Sequence, residues 1–552
     1  MFKSKALKAG IFSAALTVVL AGCAQEPDEG AVGNANNDGG ANDNAANGED
    51  GNNNGDEAAG GGEGGDLVIA TLSDANMLDP HSASDIPSGQ ANSNIFETLT
   101  KYDTDMELEP LLAEEWEAVE EDVWEFKLVE GVTFHDGSEF NADVVKMNIE
   151  RILDPELASP RAILVDIIDE VIVVDDHTVQ FRTEDPFAPL PAHLAHYSIS
   201  MISPEVIEED YARVEDGDQY GQYINENPIG TGAFKFESWD TGDQLVMVKN
   251  EDYWGEPAHL DSVTLKVVPE DLTRVGELET GAAHVIDPLT PSDMSQVENS
   301  EGIDVYQRSA ASITYMGFNM EKEPFDDERV RRAVALALDR ASMVDGILEG
   351  TGVRAVGPIN DTQFGFSENV DAVEQDYEEA RALLAEAGYE DGFDTVIWTN
   401  DSRERQDIAE LAQADLAQIG VNAEINVVEW GAYLDATGAG DHDIFILGLS
   451  LGTGDADYPL HMLFHSENAG PQGNRSFMRD EEFDQMLHEA RIEQDEDTRL
   501  ALYEDIVNYL NEQSPMAFLY HPDHIMGVAD NVEGFWADPS GLYQLKDIQL
   551  NN

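Results

Sequence analysis

Residues 394–449 contain the pattern that most restricts how this chain can fold. Residues 394–399 alternate like a strand, and residues 423–428 and 443–449 read as two more strands. Between the first two lies a helical stripe that ends at Gly420 and consists of Ile408, Ala412, Leu416 and Ile419. A strand, a helix and a strand in this order form a βαβ unit, which predicts parallel pairing and a right-handed crossover. The pattern therefore predicts a mixed α/β fold.

The segment after the third strand is the first candidate for a binding site. Ligands of such sheets tend to lie beyond the carboxyl ends of the strands. Residues 450–459 read SLGTGDADYP and bring Asp455 and Asp457 to that place. A site at this edge would therefore include at least one of these carboxylates.

Residues 108–155 combine short strands with a capped helix. Residues 124–128 alternate as one strand, and residues 132–134 begin a second short one. Asn141 is a suitable N-cap for a helix that stops at Asp154-Pro155, with the apolar positions Val145, Ile149 and Ile152. Earlier in the chain, residues 67–72 read as a strand and residues 92–99 as a helix.

A strand and a second apolar helix are predicted from residue 314 onward. Residues 314–319 read as the strand, and the helix begins with the segment PFDDERVRRAV at residues 324–334. Val330, Val334 and Leu338 form its core face. The arginines of this segment are expected in solvent or paired with nearby acids.

Four segments give the chain a family resemblance. They follow the patterns LxPxLAExW (108–116), WEFKLxxGVxFHDGxxFNAxDV with one residue missing (124–144), NPxGTG (227–232) and FNxxxxPFDDxRVRRAxxxAxDR (318–340). Together they resemble the extracytoplasmic solute-binding proteins that supply peptide and nickel ABC transporters. The resemblance extends over most of residues 67–550.

The resemblance implies a fold and a division into lobes. It implies a periplasmic-binding-protein type II-like α/β fold, with two large lobes, a hinge and a smaller extra domain. Lobe I would comprise residues 66–96, 226–308 and 516–552, lobe II residues 97–225, and lobe III residues 309–515. Lobes I and III would close on a ligand like two jaws.

The N-terminus has the features of a lipoprotein signal. Lys3, Lys5 and Lys8 precede an apolar run at residues 11–20 that is too short to span a bilayer, and residues 20–23 read LAGC. We therefore expect residues 1–22 to be a signal peptide and Cys23 to be lipidated; the alternative is an ordinary secretory signal with an incidental cysteine. Residues 23–65, rich in Asn, Gly and acids, would be a disordered tether holding the body at the outer face of the membrane.

The charge and the single cysteine exclude several functions. The chain has 113 acidic and 29 basic residues, a net charge of −84, which argues against nucleic-acid binding. One cysteine permits no disulfide within the chain. The acidic surface favours a halophilic origin; a specific cation-binding role is the alternative. No EF-hand or HExxH motif is present, and the pair His461 and His465 is a weak metal signal, so no metal site or cofactor is predicted.

The resemblance also implies a ligand site. In peptide-binding relatives an aspartate of the segment after the last βαβ strand pairs with the ligand's ammonium group, a role open to Asp455 or Asp457. The patterns TGDADYxLxxLFHS (453–466) and GxxGNRxF (470–477) are most similar to glutathione-binding members. Arg475 is the candidate for a ligand carboxylate, with a structural ion pair as its alternative. The other candidate ligand-binding residues are Trp430, Tyr458 and Asn474.

The sequence thus predicts a binding protein and not an enzyme. No Walker motif, G-x-S-x-G elbow or zinc-protease signature is present. We expect a monomeric, lipid-anchored receptor that passes short peptides or glutathione to the permease and ATPase of an ABC importer. A nickel or metal-chelate receptor of the same fold, or a peptide-signal sensor, is the alternative.

The charge leads to a prediction about salt. Because salt screens repulsion between like charges, the unfolding temperature should rise from millimolar to molar NaCl. A salt titration followed by circular dichroism measures this rise. An unfolding temperature that stays flat or falls would contradict the prediction.

Overall fold

The structure is a computed structural model that describes residues 64–551. The predictions for residues 1–22, for Cys23 and for almost all of the 23–65 linker lie outside the described residues. Within residues 64–551, no helix is both long and apolar enough to cross a membrane.

The strands of the described residues are distributed along their whole length. In chain order they are β1 (Asp66–Thr71), β2 (Thr100–Tyr102), β3 (Leu108–Pro110), β4 (Ala113–Glu120), β5 (Val123–Leu128), β6 (Ile168–Asp175), β7 (Thr178–Thr183), β8 (Phe234–Asp240), β9 (Gln244–Lys249), β10 (Ser262–Val267), β11 (Val285–Asp287), β12 (Ile303–Ser309), β13 (Ser312–Phe318), β14 (Gly352–Arg354), β15 (Phe393–Asn400), β16 (Val421–Val428), β17 (Ile444–Ser450), β18 (Met516–Ala529), β19 (Val532–Glu533) and β20 (Gln549–Leu550).

The α-helices lie between these strands. They are α1 (Ile86–Ile95), α2 (Ala142–Ile152), α3 (Leu190–His193), α4 (Pro204–Asp216), α5 (Gln222–Glu226), α6 (Asp271–Thr280), α7 (Pro291–Glu298), α8 (Glu328–Ala337), α9 (Arg340–Ile347), α10 (Tyr377–Glu386), α11 (Arg403–Gln418), α12 (Trp430–Gly438), α13 (Asp457–Phe464), α14 (Glu481–Ile492) and α15 (Glu496–Gln513). Short 3-10 turns occupy Ala162–Leu164, Tyr197–Ile199 and Ser466–Asn468.

One twelve-stranded sheet organises the described chain, and β18 is its central connection. The main path runs β16-β15-β17-β13-β18-β11-β1-β10-β9-β8, while β12 and β14 also pair with β18. The first part of β18 pairs with β13 and β14, up to Pro522 opposite Gly352. From Asp523, which lies opposite Ser309, it pairs with β12 and then also with β11. A single strand therefore belongs to both halves of the sheet.

The predicted βαβ unit is confirmed. β15 pairs in parallel with β16 on one side and with β17 on the other. Ile408, Ala412 and Leu416 of α11 are fully buried against this part of the sheet. Their helical spacing is what produced the prediction, because one face of an amphipathic helix must cover the sheet.

The region of residues 108–155 forms a smaller, four-stranded antiparallel sheet in the order β4-β5-β7-β6, with α2 packed against it. The N-cap prediction is confirmed, since the side chain of Asn141 accepts a hydrogen bond from the amide of Val144. The predicted strand at residues 132–134 is wrong, because only one isolated bridge, Thr133 to Glu139, forms there. The backbone hydrogen bonds beside this bridge run from Phe134 N–H to Ser138 O and from Phe140 N–H to Val132 O, and α2 begins two residues later.

The first predicted helix is displaced along the chain. α1 covers Ile86–Ile95 instead of residues 92–99. Asp85 caps it by accepting a hydrogen bond from the amide of Ser88, and Pro87 lies in its first turn. Both are standard helix-start residues, and they fix the beginning of the helix earlier than its apolar pattern indicated.

The arginines at the start of α8 differ from one another. Arg329 forms the expected pair with Asp327. Arg331, by contrast, is buried and donates to the carbonyl oxygens of Phe325 and Gln513. The expectation that these arginines lie in solvent or pair with acids is therefore wrong for Arg331. Burial lowers its pKa to about 10, which still leaves it charged at neutral pH.

The largest hydrophobic cluster joins segments far apart in sequence. It contains Leu190, Leu194 and Ile199 together with Leu451 and Tyr458. Side chains from residues 97–225 therefore share one continuous core with side chains from residues 309–515. Side chains of residues 190–199 therefore pack over the segment that follows β17.

A buried charge network holds the segment after β1 against α2. Arg151 donates to both carboxylate oxygens of Asp79, at 3.1 and 2.7 Å, and to Nδ1 of His81 at 2.8 Å. Nε2 of His81 lies 2.9 Å from the carbonyl oxygen of Ser200. Because Nδ1 accepts, His81 is neutral and carries its proton on Nε2. Burial and the charge of Arg151 lower the pKa of His81 to about 3.

This network predicts a pH dependence. The pKa of His81 is lower in the folded state than the ordinary 6.5, so its contribution to stability is present above pH 6.5 and is lost as the pH falls towards 3. In molar salt, wild type should lose stability relative to His81→Gln between pH 6.5 and 4, by at most about 1.4 kcal/mol per pH unit. Urea unfolding at each pH measures the difference. Parallel curves for the two proteins would contradict the assignment.

Candidate functional site: the carboxyl edge of the parallel strands

The carboxyl ends of three strands meet at one edge of the sheet. Because β15 is parallel to both β16 and β17, its last residue, Asn400, lies at the same edge as Val428 and Ser450. The turns that leave this edge start α11 and α12 and the loop at residues 451–456, which we call the β17 loop. An edge of this kind is the usual ligand position in α/β sheets.

The β17 loop is fixed by close backbone packing. Gly452 and Gly454 have φ angles of +53° and +68°. A Cβ atom on Gly454 would lie 2.5 Å from the ring of Tyr102, and the hydroxyl of Tyr102 donates to the carbonyl oxygen of Thr453 at 2.8 Å. Glycine is needed at residue 454 for both its dihedral angle and this approach. Tyr102 in β2 thereby holds the loop in place.

Asp455 is buried in an ion pair within the chain. Only 1% of its surface is exposed, and it accepts hydrogen bonds from Nη1 of Arg499 at 2.9 Å and the hydroxyl of Tyr503 at 3.2 Å. Its Oδ1 also accepts the amide of Asp457 at 2.9 Å. Burial raises the pKa of Asp455, and the charge of Arg499 opposes this effect.

Asp457 is held by a bidentate ion pair. Nε and Nη2 of Arg491 donate to its two oxygens at 2.9 and 2.8 Å, and 2% of Asp457 is exposed. Burial acts to raise the pKa of Asp457, but the charge and the two hydrogen bonds of Arg491 lower it to about 2. Nε2 of His193 lies 3.8 Å away. This ion pair therefore joins α13 to α14, and His193 approaches it from the segment that covers the β17 loop.

Tyr458 joins the two aspartates in the same buried cluster. It is 8% exposed, and its ring lies edge-on to that of His193, with 6.5 Å between the centroids. The structure thus brings Asp455, Asp457 and Tyr458 together beside the carboxyl edge. Both carboxylates already have an arginine partner there, so their role towards a ligand stays a prediction.

Asn474 and Arg475 lie elsewhere. The amide nitrogen of Asn474 lies within hydrogen-bond distance of three backbone carbonyls, those of Phe464, His465 and Met478. Nη1 of Arg475 donates to the carbonyl oxygen of Leu434 at 2.7 Å and to Oγ1 of Thr437 at 2.9 Å.

The backbone of Arg475 shows which edge this pair occupies. Its carbonyl oxygen lies 3.0 Å from Nε2 of His442, which precedes β17. Arg475 therefore lies towards the amino end of β17, away from the carboxyl edge. Its contacts are with α12 and the protein backbone.

Trp430 lies at the carboxyl edge next to Arg405, a residue that the sequence analysis did not name. Arg405, in the first turn of α11, lies with its guanidinium carbon 5.2 Å from the centroid of the Trp430 ring. Nη1 of Arg405 donates to Oδ1 of Asn400 at 3.2 Å. A Cβ atom on Gly448 would lie 3.9 Å from Nη2 of Arg405, so the guanidinium also reaches β17. Arg405 therefore lies among Asn400 at the end of β15, Trp430 just after β16, and Gly448 in β17.

One sequence signal could have identified Arg405. A cation in the first turn of a helix is unfavourable because it meets the positive end of the helix dipole. Arg403 and Arg405 both occupy the first turn of α11, directly after a strand of the βαβ unit. Arginines placed at a carboxyl edge in this way are candidates for a binding site. The sequence analysis named only the carboxylates of the β17 loop at this edge.

The other half of the sheet has a comparable edge. β1 is parallel to β10 and to β11, which ends at Asp287. Oδ2 of Asp287 accepts from Nε2 of Gln90 at 3.1 Å and from the hydroxyl of Tyr543 at 2.6 Å. Burial raises the pKa of Asp287. Two polar carboxyl edges thus exist, one on each side of β18.

The described residues offer little to a metal ion. The rings of His461 and His465 stack with 4.3 Å between their centroids, and His465 lies 3.9 Å from Asp484. Within residues 64–551, no group of three His, Cys, Asp or Glu residues has a geometry that could hold a metal ion.

Comparison with known proteins establishes the family. Residues 107–471 match the family model described as bacterial extracellular solute-binding proteins, family 5, middle. Because the match covers more than half of the chain, the chain belongs to this family. It is 30% identical over 495 residues to the glutathione-binding protein GsiB of Salmonella typhimurium, a match that covers 88% of this chain and 94% of that protein.

Solved structures agree with the fold. The periplasmic binding protein DppA of Helicobacter pylori, in complex with the peptide STSA, is 30% identical with a TM-score of 0.75, over 89% of this chain and 98% of that one. HbpA2 of Haemophilus parasuis is 29% identical with a TM-score of 0.80, over 88% and 100%. The fold is therefore the type II-like, multi-lobed α/β fold of periplasmic peptide-binding proteins.

The buried ion pair at Asp457 predicts a large effect on stability. Asp457→Asn keeps the shape of the side chain but leaves Arg491 buried without its carboxylate, which should cost about 3–5 kcal/mol. The matched control is Glu170→Gln, which breaks the exposed pair with Arg182 and should cost less than about 1 kcal/mol. Urea unfolding of both variants in molar salt measures the costs. Equal small costs would show that the buried pair contributes no more than a surface pair.

Proposed function

We propose that this protein is an extracytoplasmic receptor that captures short peptides, including glutathione, and delivers them to an ABC importer. The named relatives are binding proteins, one for glutathione and one solved with a bound tetrapeptide. The proposed ligands are dipeptides, tripeptides, short oligopeptides and glutathione. The receptor itself catalyses no reaction, and the partner ATPase supplies the energy.

The observation that carries this proposal is the pair of polar carboxyl edges. One edge, with Asn400, Arg405 and Trp430, belongs to β15, β16 and β17, and the other, with Gln90 and Asp287, belongs to β1 and β11. Ligands of α/β sheets bind at such edges. A ligand held between the two would contact both halves of the sheet at once.

We propose that the halves are lobes I and III of a hinged receptor. Residues 66–96, 226–308 and 516–552 would form lobe I, residues 97–225 lobe II, and residues 309–515 lobe III. The pairing of β18 favours a boundary a few residues later than 515, near Pro522, because residues 516–522 pair with β13 and β14 and later residues pair with β12. The short connection between β12 and β13 is the second crossing. Two crossings of this kind are typical of a hinge that closes around a ligand.

The proposed location follows from the N-terminal sequence and the family. Lipidation of Cys23 would anchor a monomeric receptor at the outer face of the cell membrane, where it would meet the permease. The 23–65 segment would act as the tether. Metabolic labelling with a radioactive fatty acid, compared between wild type and Cys23→Ser, measures the anchor directly.

A binding panel tests the function. The full-length protein, in mild detergent and molar salt, is heated with dipeptides, tripeptides, longer peptides, reduced and oxidised glutathione, or nickel with and without histidine. A ligand at 100 times its dissociation constant should stabilise the folded state by about 2.7 kcal/mol. We expect this stabilisation with at least one peptide or with glutathione, and none with an unrelated neutral sugar as the control.

Two outcomes would overturn the proposal. Stabilisation by nickel or its histidine complex alone, abolished by EDTA, would establish a metal receptor of the same fold. No stabilisation by any peptide or by glutathione would remove the peptide-receptor assignment.

A further inference from the structure

We infer that Asp287, at the carboxyl edge of β11, binds the ammonium group of the ligand. This inference rests on the proposed receptor function and names the residue that recognises the charged amine of a peptide. It differs from the sequence-based expectation, which gives this role to Asp455 or Asp457. The amine is then held by the half of the sheet that contains β1 and β11.

Asp287 is a partly buried carboxylate whose hydrogen-bond partners are neutral groups. Its Oδ2 accepts from Nε2 of Gln90 at 3.1 Å and from the hydroxyl of Tyr543 at 2.6 Å. Among residues 64–551, no donor lies within hydrogen-bond distance of its Oδ1, and this oxygen is not sealed from solvent. No basic side chain of these residues forms an ion pair with Asp287. One oxygen is therefore open to a donor from a ligand.

The two donors to Asp287 are fixed by further contacts. Nε2 of Gln90, a residue that is 5% exposed, also donates to the carbonyl oxygen of Gly541 at 3.1 Å. Burial raises the pKa of Tyr543 well above its usual range, so its hydroxyl stays protonated and donates to Oδ2. The side chain of Asn94 donates to the carbonyl oxygen of Tyr543 at 2.8 Å. The carboxylate is thus held in one orientation, as a binding group should be.

The charged groups nearest to Asp287 are engaged elsewhere. Arg274 donates to three backbone carbonyl oxygens and pairs with Asp271. Nε2 of His524 lies 3.0 Å from the carbonyl oxygen of Pro539. Burial raises the pKa of Asp287, while its hydrogen bonds and the charges of His524 and Arg274 oppose this effect. Because burying a carboxylate without a paired cation is costly, a ligand ammonium would supply a favourable partner.

Asp455 and Asp457 offer no open oxygen of this kind. Both oxygens of Asp457 accept hydrogen bonds from Arg491. Oδ2 of Asp455 accepts from Arg499, and its Oδ1 accepts from the hydroxyl of Tyr503 and from the amide of Asp457. An ammonium group would have to displace a buried guanidinium at either residue, and breaking a buried ion pair is strongly unfavourable.

The loop that holds Asp287 also contacts the other half of the sheet. This loop, residues 537–543, is closed by a bridge between its first and last residues. The carbonyl oxygen of Pro539 accepts the amide of Ala311 at 2.6 Å, and the carbonyl oxygen of Ala311 accepts the amide of Leu451 at 2.8 Å. Ala311 lies between β12 and β13, and Leu451 begins the β17 loop. A ligand amine at Asp287 would therefore lie close to the crossing between the two halves.

The ligand class is a peptide or amino-acid derivative with a free primary amine. Its ammonium group has three hydrogens and a full positive charge, and one hydrogen can reach Oδ1 of Asp287. N-acetylation removes the charge and two of the three donors. Glutathione belongs to this class because its γ-glutamyl residue keeps a free α-ammonium group.

Amine chemistry tests the inference. The full-length protein in molar salt is titrated calorimetrically with trialanine and with reduced glutathione, each with a free or an N-acetylated amine. Wild type should bind the free form about 10- to 100-fold more tightly. Asp287→Asn should weaken binding of the free form about 10- to 100-fold and leave binding of the acetylated form within about 3-fold of wild type. A purely structural role of Asp287 would weaken both forms equally.

Asp304→Asn is the matched control. Asp304 is an exposed acid of β12 in the same half of the sheet, and its substitution also removes one negative charge. This variant should change the dissociation constant of each probe by less than about 2-fold. If it weakens binding as much as Asp287→Asn does, the effect comes from the general loss of charge, and the role of Asp287 is wrong.

A photoreactive tripeptide locates the amine without any substitution in the protein. The peptide photo-leucine-Ala-Ala keeps its free ammonium and carries a diazirine on its first side chain. After irradiation of its complex with wild type, mass spectrometry should find crosslinks in residues 285–290 or 537–543. Crosslinks confined to residues 451–459 would assign the amine to the β17 loop and overturn the inference. This measurement decides the question even if Asp287→Asn does not fold.

The outcomes separate this inference from the proposed function. If the free and acetylated forms bind equally well, or if Asp287→Asn keeps the preference for the free amine, the inference is wrong and the receptor function stands. If neither trialanine nor glutathione binds in either form, the inference is wrong, and the receptor function depends on the other peptides of the panel. If no peptide of the panel binds either, the proposed function fails as well.

Discussion

The architecture depends on the hydrogen bonds of one strand, β18. Its first part completes the sheet with β13 and β14, and its second part does so with β11 and β12. Pro522 lies at the changeover and has no amide hydrogen to donate, so β18 contributes one ladder donor fewer where its partners change. The two polar edges therefore lie on halves of the sheet that share this one strand and pair with different parts of it.

Arginine has an unusual role in a chain with so few basic residues. Arg331 and Arg340 are buried and donate chiefly to backbone carbonyls, including those of Gln513 and Phe518. Burial lowers the pKa of each to about 10, so both remain charged at neutral pH. Arg151, Arg491 and Arg499 neutralise buried aspartates. Much of the basic charge thus lies in the protein interior. The surface is therefore more acidic than the composition of the whole chain implies.

The sequence predicted the elements whose information is local. The stripe of Ile408, Ala412 and Leu416 and the strands beside it belong to a single βαβ unit, and the N-cap at Asn141 depends on its own next three residues. The strand predicted at residues 132–134 failed because strand formation needs a partner with enough residues in register, and the returning segment forms one bridge before α2 begins. The alternating pattern of residues 132–134 therefore predicted a longer strand than the one that forms.

The site was harder to predict because its partners are distant in sequence. Asp455 and Asp457 were correctly placed beside the carboxyl edge, but Arg499 and Arg491, 44 and 34 residues away, are their partners. No pattern within the segment 450–459 reveals those arginines. Arg475 stood near the segment in sequence but lies towards the other end of β17. Arg405 lay in a helix whose apolar stripe explained the helix fully, so its charged residues received no separate role.

The net charge of −84 sets a condition on how such a site can work. At about 0.1 M salt, an acidic surface repels an anionic ligand over a distance of about 10 Å, whereas at about 1 M salt this distance falls to about 3 Å. At molar salt, recognition of a charged ligand rests on contacts at hydrogen-bond distance, where a buried guanidinium and its planar fork are little screened. Arg405, buried beside Trp430 and bonded to Asn400, has this shielding. An exposed cation such as Arg403 does not, because solvent and salt surround it on most sides.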